Sequence, residues 1–180
     1  MDALIYILFV AIFIPILLMA CLVEKKARQP MIFFLIGIFL SVFASEINAY
    51  LRSILSMSTF EITIIVTPIS EEILKALPIL FFATVLAPKK EAMFTASMAV
   101  GIGFAVLENA FYLLNEDSFH MLDALSRAFG AGLMHGMCTL LVGVGISFVK
   151  PIICTFLEDA VFLSNWLFSF LLVPQITVSS

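Results

Sequence analysis

The sequence predicts an all-α protein, a polytopic transmembrane helical bundle of about six spans. Three observations carry this prediction. Mean hydropathy is +1.18 over 180 residues. Hydrophobic residues make up 63% of the chain and charged residues 12%, whereas soluble domains carry roughly 45–50% and about 25%. Apolar runs of about 20 residues, the length needed to cross the hydrocarbon core, recur between short charged connections. The composition excludes a disordered chain, a disulfide-stapled secreted fold and a nucleic-acid binder. Nineteen Phe against one Trp and three Tyr put the aromatic weight against lipid or protein rather than at the membrane interface.

The first run covers residues 4–23 and contains no charge. It has no basic segment before it, and its flanking positives follow in EKKARQP at 24–30. It therefore reads as a retained helix rather than a cleaved signal peptide. The second run, 31–50, has Glu46 and Asn48 near its end, and the third, 62–87, contains Glu71, Glu72 and Lys75. The fourth, 93–114, contains Glu108 and Asn109, and the fifth, 128–149, contains His135. The sixth, 152–173, is the weakest, because Glu158 and Asp159 sit inside it. No internal repeat or Gly/Ser linker interrupts the chain, so 1–180 reads as a single integral-membrane domain.

Orientation follows from Lys and Arg in the short loops. Alternate connections collect Lys25, Lys26, Arg28, Lys89, Lys90 and Lys150 on one side. The other side collects Arg52 and Arg127 among Asp2, Glu46, Glu61, Glu116, Asp117 and Asp123. The first side is therefore expected to be cytoplasmic, with both termini outside and the protein in the cell membrane. Cys21, Cys138 and Cys154 are too scattered for a metal quartet or a redox pair and read as packing residues. His120 falls in the acidic outer loop and reads as solvated.

An ionised side chain at mid-membrane costs at least about 2.5–3.5 kcal/mol, so such residues are functional candidates. At about 1.5 Å of rise per residue, Glu72 lies roughly 15 Å from the outer end of its span, Glu108 roughly 9 Å and His135 roughly 10 Å. Three helices thus place two carboxylates and an imidazole in the same outer half of the bilayer. Lys75 follows Glu71 by four residues and Glu72 by three, so it can neutralise either. Adjacent carboxylates on a helix point about 100° apart, so one of the pair is expected to serve Lys75 while the other turns to chemistry. Asn109 adds an amide that can orient a carboxylate, a water or a substrate carbonyl. Gly101 and Ala105, and Ala128, Gly132 and Gly136, form small-residue ladders of the kind that lets membrane helices approach closely.

Several chemistries are excluded by absence. There is no HExxH, no GxSxG, and no Asp within the third to fifth runs. What remains is carboxylate and imidazole chemistry. A glutamate in a low-dielectric site has a raised pKa and serves as general base for water. Alternatively Glu72, Glu108 and His135 hold a divalent metal such as zinc, with an acidified water in the open position.

The residues also carry a resemblance. EEILK at 71–75 resembles the EExxK motif of the PrsW family of intramembrane proteases, and FAVLEN at 104–109 resembles its FxxxEN. Arg127 with LMHG around His135 resembles the arginine–histidine region of the following helix. The three motifs stand in the same order on successive runs and cover about residues 60–150, the expected catalytic core. The family is similar to the CAAX prenyl endopeptidase and bacteriocin-processing membrane proteins. The resemblance implies hydrolysis of a peptide bond in or near the membrane, as in cleavage of a membrane-anchored anti-sigma factor, by a metallo- or glutamate-type mechanism. It has one departure: the family's later histidine is missing from EDAVFLSNWLFSFLLVP, where Asn165 is the related polar residue.

The expected activity is an intramembrane endopeptidase acting on transmembrane protein substrates amid membrane lipids. Glu72, or Glu71, activates water, Glu108 and His135 position it or bind metal, and Asn109 assists the scissile carbonyl. Lys75 and Arg127 support. Two readings from other classes compete: a proton- or cation-coupled small transporter, and a non-catalytic scaffold that binds membrane helices through the same cavity.

Overall fold

A computed structural model describes residues 25–114 and 121–172, and these are helical apart from short connections. Helix α1 is Lys25–Ile54, and α2 is the single turn Thr59–Glu61. A π-helical stretch, Ile62–Val66, leads into α3, Thr67–Phe81, which continues into a second π-stretch, Phe82–Leu86. Helix α4 is Lys90–Leu114, α5 is Met121–Ser126, and a third π-stretch, Arg127–Ala131, opens α6, Gly132–Leu172. The fold class is all-α, as the hydropathy pattern predicts.

Local chemistry sets the boundaries. Ser58 and Glu61 form a reciprocal capping box at the start of α2, in which the Ser58 hydroxyl and N–H both donate to the Glu61 carboxylate, at 2.7 and 2.9 Å. Those bonds hold the Glu61 carboxyl below its usual pKa, the hydroxyl bond contributing most. At the other end of this segment the chain leaves the second π-stretch through Ala87, whose φ of 43° is left-handed. Pro88 follows immediately and prevents the helix from resuming at once.

Three helices among the described residues are long and apolar enough to cross a membrane: Ala27–Ile54, Lys90–Leu113 and Arg127–Ile153. They correspond to the second, fourth and fifth runs. The first run lies outside the described residues, as do Cys21, His120 and the side chain of Cys154. The third run is helical almost throughout, but Glu71, Glu72 and Lys75 in its middle remove it from that set. Its two faces differ sharply. Ile65, Ile69, Ile73, Leu77 and Phe81 form an exposed apolar stripe, whereas Glu71, Lys75 and Ile79 are buried.

The break expected between the fifth and sixth runs is absent, because α6 continues through Lys150 and Pro151. A proline inside a helix removes one backbone bond without forbidding helical φ, so α6 carries it at the cost of that bond. The Ser147 carbonyl loses its donor there, and the chain's contacts divide at the same residue into units 1–147 and 148–180. In the second unit, the described residues are the helical segment 148–172.

Within the first unit, α1 and α4 make the closest pair. A Cβ on Gly37 would collide with the Val100 and Phe104 backbone, and one on Gly103 with the Phe34 backbone. Phe33, Ile79, Phe82, Met93, Ala96 and Val100 fill the core between α1, α3 and α4, with the Phe33 and Phe82 rings 4.7 Å apart. Of the expected ladders, Gly101 does meet the backbone of His135 and Gly136 on α6, whereas Gly132 has nothing within 4 Å of its virtual Cβ. Cys138 is free and exposed. It shares an outward apolar face with Met134, Met137 and Leu141.

Candidate active site

The buried polar residues of α3, α4 and α6 converge. Lys75 is fully buried, and Glu71 and His135 are nearly so. The Lys75 ammonium sits 2.9 Å from Glu72 Oε1 and 3.9 Å from Glu71 Oε2. It also sits 2.8 Å from His135 Nδ1 and 3.9 Å from the centre of the Phe104 ring. His135 Nε2 is 2.8 Å from Glu108 Oε2, and the imidazole packs against Phe104 at 5.4 Å between centroids. The backbone contact at Gly101 makes this possible, because it lets α6 approach until His135 meets α4.

The two carboxylates of the EE pair part company, as their angular separation demands. Glu72 is the nearer partner of Lys75, and its second oxygen accepts from Thr139 at 3.4 Å. Glu71 accepts from Asn48 Nδ2 at 3.2 Å, and Asn48 is itself fixed by the Ser70 hydroxyl at 2.7 Å. Potential ligand atoms of Glu71, Glu108 and His135 all lie within 4.8 Å of one another. The metal-binding trio expected from the sequence used Glu72; the trio that the fold gathers uses Glu71. The helical phase of α3 turns Glu72 toward Lys75 and Thr139 instead.

Asn109 and Arg127 stand beside this cluster. Asn109 is buried and donates to the Arg127 carbonyl at 3.2 Å, tying α4 to the start of the α6 segment. The Arg127 guanidinium lies 4.0 Å over the Tyr112 ring. Asn165 is on α6, with its side chain outside what the structure describes. Asn48, Thr139 and Ser70 are partners that the sequence reading passed over. Asn48 carried a signal, being an amide within an apolar run, and Thr139 follows His135 by one helical turn.

A cavity of about 540 Å³ opens at Glu71 and Glu108 and is walled by α1, α3 and α4. Two buried oxygens around it, Thr67 Oγ1 and Glu108 Oε2, have no hydrogen-bond partner. For Glu108, the His135 nitrogen is near but not aligned as a hydrogen-bond donor. Buried polar atoms are ordinarily satisfied, so these two mark a place for water or a ligand.

A family model described as PrsW family intramembrane metalloprotease matches residues 25–173. The chain belongs to the PrsW family. Neither a curated protein nor a solved structure matches it. Membership supports a membrane protease. The donor set also fits a divalent cation. Two carboxylates and an imidazole are hard-to-borderline ligands of the kind zinc takes, and Glu108 Oε2 is buried with no hydrogen bond. Two carboxylates flank the Lys75 ammonium and a third, Glu108, lies against His135, a formal excess of two negative charges when all are ionised and His135 is neutral. A divalent ion balances that excess. Ligation through Nε2 leaves the imidazole proton on Nδ1, so Lys75, which has only donors as an ammonium, then serves Glu72 and Glu71 alone.

Proposed function

We propose that the protein is a multi-pass endopeptidase of the cell membrane that hydrolyses a peptide bond in a membrane-anchored protein substrate, an anti-sigma factor being one such class. The observation that carries this reading is the meeting of Glu71, Glu108 and His135 from three helices beside a cavity. Burying such groups is costly, and the apolar outer stripe of α3 suits a helix that turns this cost inward.

In the proposed reaction, water held at the trio attacks the scissile carbonyl carbon. The Glu71–Glu108 pair accepts its proton. Carboxylates placed beside the attacking water suit general acid–base work. The C–N bond breaks, and the proton passes to the leaving amine nitrogen. Asn48 holds Glu71 in place, and Phe104 packs against the imidazole and fixes its plane. Glu71, Glu108 and His135 are the residues that would hold a divalent ion such as zinc. Bound there, it supplies polarisation of the carbonyl and a lowered pKa for water.

The test is cleavage of a single-span reporter by the protein in membranes. Glu71→Gln and His135→Ala should each lower kcat by at least about 100-fold, the contribution of a positioned acid–base group. Undiminished cleavage by either variant would remove that residue from the mechanism.

A further inference from the structure

The cavity that begins at Glu71 and Glu108 is bounded on α1 by Arg52. Ser41, Ala44, Asn48 and Arg52, which line it, follow one another at three- and four-residue steps and so share one helix face. Asn48 is bonded to Glu71, and Arg52 stands one turn further on, about 6 Å along the helix axis. Tyr112 lines the same cavity, and its ring carries the Arg127 guanidinium at 4.0 Å. Arg52 and Arg127 are the two basic residues on the side that the Lys/Arg bias reads as outer, where positive charge is otherwise sparse. Arg52 lines the cavity itself, and Arg127 stands behind its Tyr112 wall. Thr67 Oγ1, which has no hydrogen-bond partner, and the carboxylates of Glu71 and Glu108 in its wall suit a polar occupant rather than a lipid tail.

We propose that Arg52 is a specificity-determining residue that binds a carboxylate of the substrate polypeptide on the outer side of the scissile bond. The proposal rests on the proteolytic reading and adds the chemistry of the substrate to it. The cavity is polarised along α1, with carboxylates at the level of Asn48 and a guanidinium one helical turn beyond them. A peptide lying along the small-residue wall of Ser41 and Ala44 and past Asn48 meets both ends. One helical turn corresponds to about two residues of extended chain at roughly 3.3 Å each. The carboxylate therefore lies about two residues beyond the bond that is cut. An acidic side chain and a chain's own C-terminus present the same group.

The experiment uses the full chain in detergent micelles with fluorescent single-span Ala/Leu reporter peptides. One reporter carries Asp two residues beyond an Ala–Ala bond at its outer end, and a second carries Asn there. A third ends at that position in a free carboxylate, and a fourth ends in its amide. The Asp reporter should bind, by fluorescence anisotropy, and react with a KM roughly tenfold below the Asn reporter, the size of one charge-assisted contact, with kcat much less affected. Arg52→Gln should collapse that preference toward one, Arg52→Lys should retain part of it, and Arg52→Glu should transfer it to a reporter carrying Lys. Preference for the free carboxylate over its amide identifies a C-terminus as an acceptable source. Equal handling of the Asp and Asn reporters, a preference that survives Arg52→Gln, or no binding of any reporter would overturn the proposal. Reporters hydrolysed without preference leave the protease reading intact and remove Arg52 from it. Arg52-dependent binding of Asp with no hydrolysis keeps the docking site and removes the protease reading.

Discussion

Lys75 has four neighbours, each with a different claim on its charge: Glu72, Glu71, the His135 imidazole and the Phe104 ring. A buried ammonium is tolerable only when so compensated, and removing a partner leaves an uncompensated ion. Glu72→Gln should therefore lower stability by about 1.5–3 kcal/mol, the range for hydrogen bonds to charged groups. Lys75→Met in the same chain should restore part of that loss. A double-mutant cycle on melting in detergent measures the coupling, and additive effects would deny the pair its structural role. The sequence made the members of this cluster legible, because charges stand out in apolar runs. It left open which of Glu71 and Glu72 faces Glu108. That choice depends on the rotation of α3 about its axis, fixed by Ile79 and Phe82 packing against α1 and α4 rather than by anything in EEILK itself.

Helix pairing places these side chains. Gly101 admits the His135 backbone, so Gly101→Ala should force α6 away from α4, at about 1–3 kcal/mol for overpacking. Helix content should persist while reporter cleavage falls with the displaced imidazole. Gly132 is the control, since it is helical with open space where its Cβ would be. Gly132→Ala should be neutral or stabilising by up to about 1 kcal/mol. Equal loss of cleavage in both variants would show that glycine flexibility, not close approach, matters here. The ladders were visible as spacing, yet spacing alone could not rank their members. Gly37 and Gly103 hold α1 to α4 as tightly as Gly101 holds α4 to α6, although Gly37 has no charge beside it to mark it.

For the molecule as a whole, the hydropathy pattern gave the fold class and the placement of the three longest apolar helices. It failed at Lys150–Pro151, where a proline and a charge resemble a turn but interrupt neither α6 nor its apolar flanks. The charge excess at the site sets the whole-protein prediction. Chelation should abolish reporter cleavage and lower the melting temperature, because a ligand bound only by the folded state stabilises it. Zinc should restore both. Metal analysis before and after chelation checks it, and full activity in chelated, metal-free protein would leave the two carboxylates to act alone.

The π-stretches at 62–66 and 127–131 stand just before the helical segments that deliver Glu71 and His135. A π-turn holds one residue more than the α-helix it interrupts, so each marks a place where the chain carries a surplus residue. Losing one residue from 127–131 would let that stretch wind as ordinary helix, with His135 and everything after it unchanged in register. The segment before it would swing by about 100°, carrying Arg127 off Tyr112 and its carbonyl off Asn109. The Arg127 contacts on α4 and the reacting centre are thus joined by a clutch: one can be re-indexed against the other by a single residue.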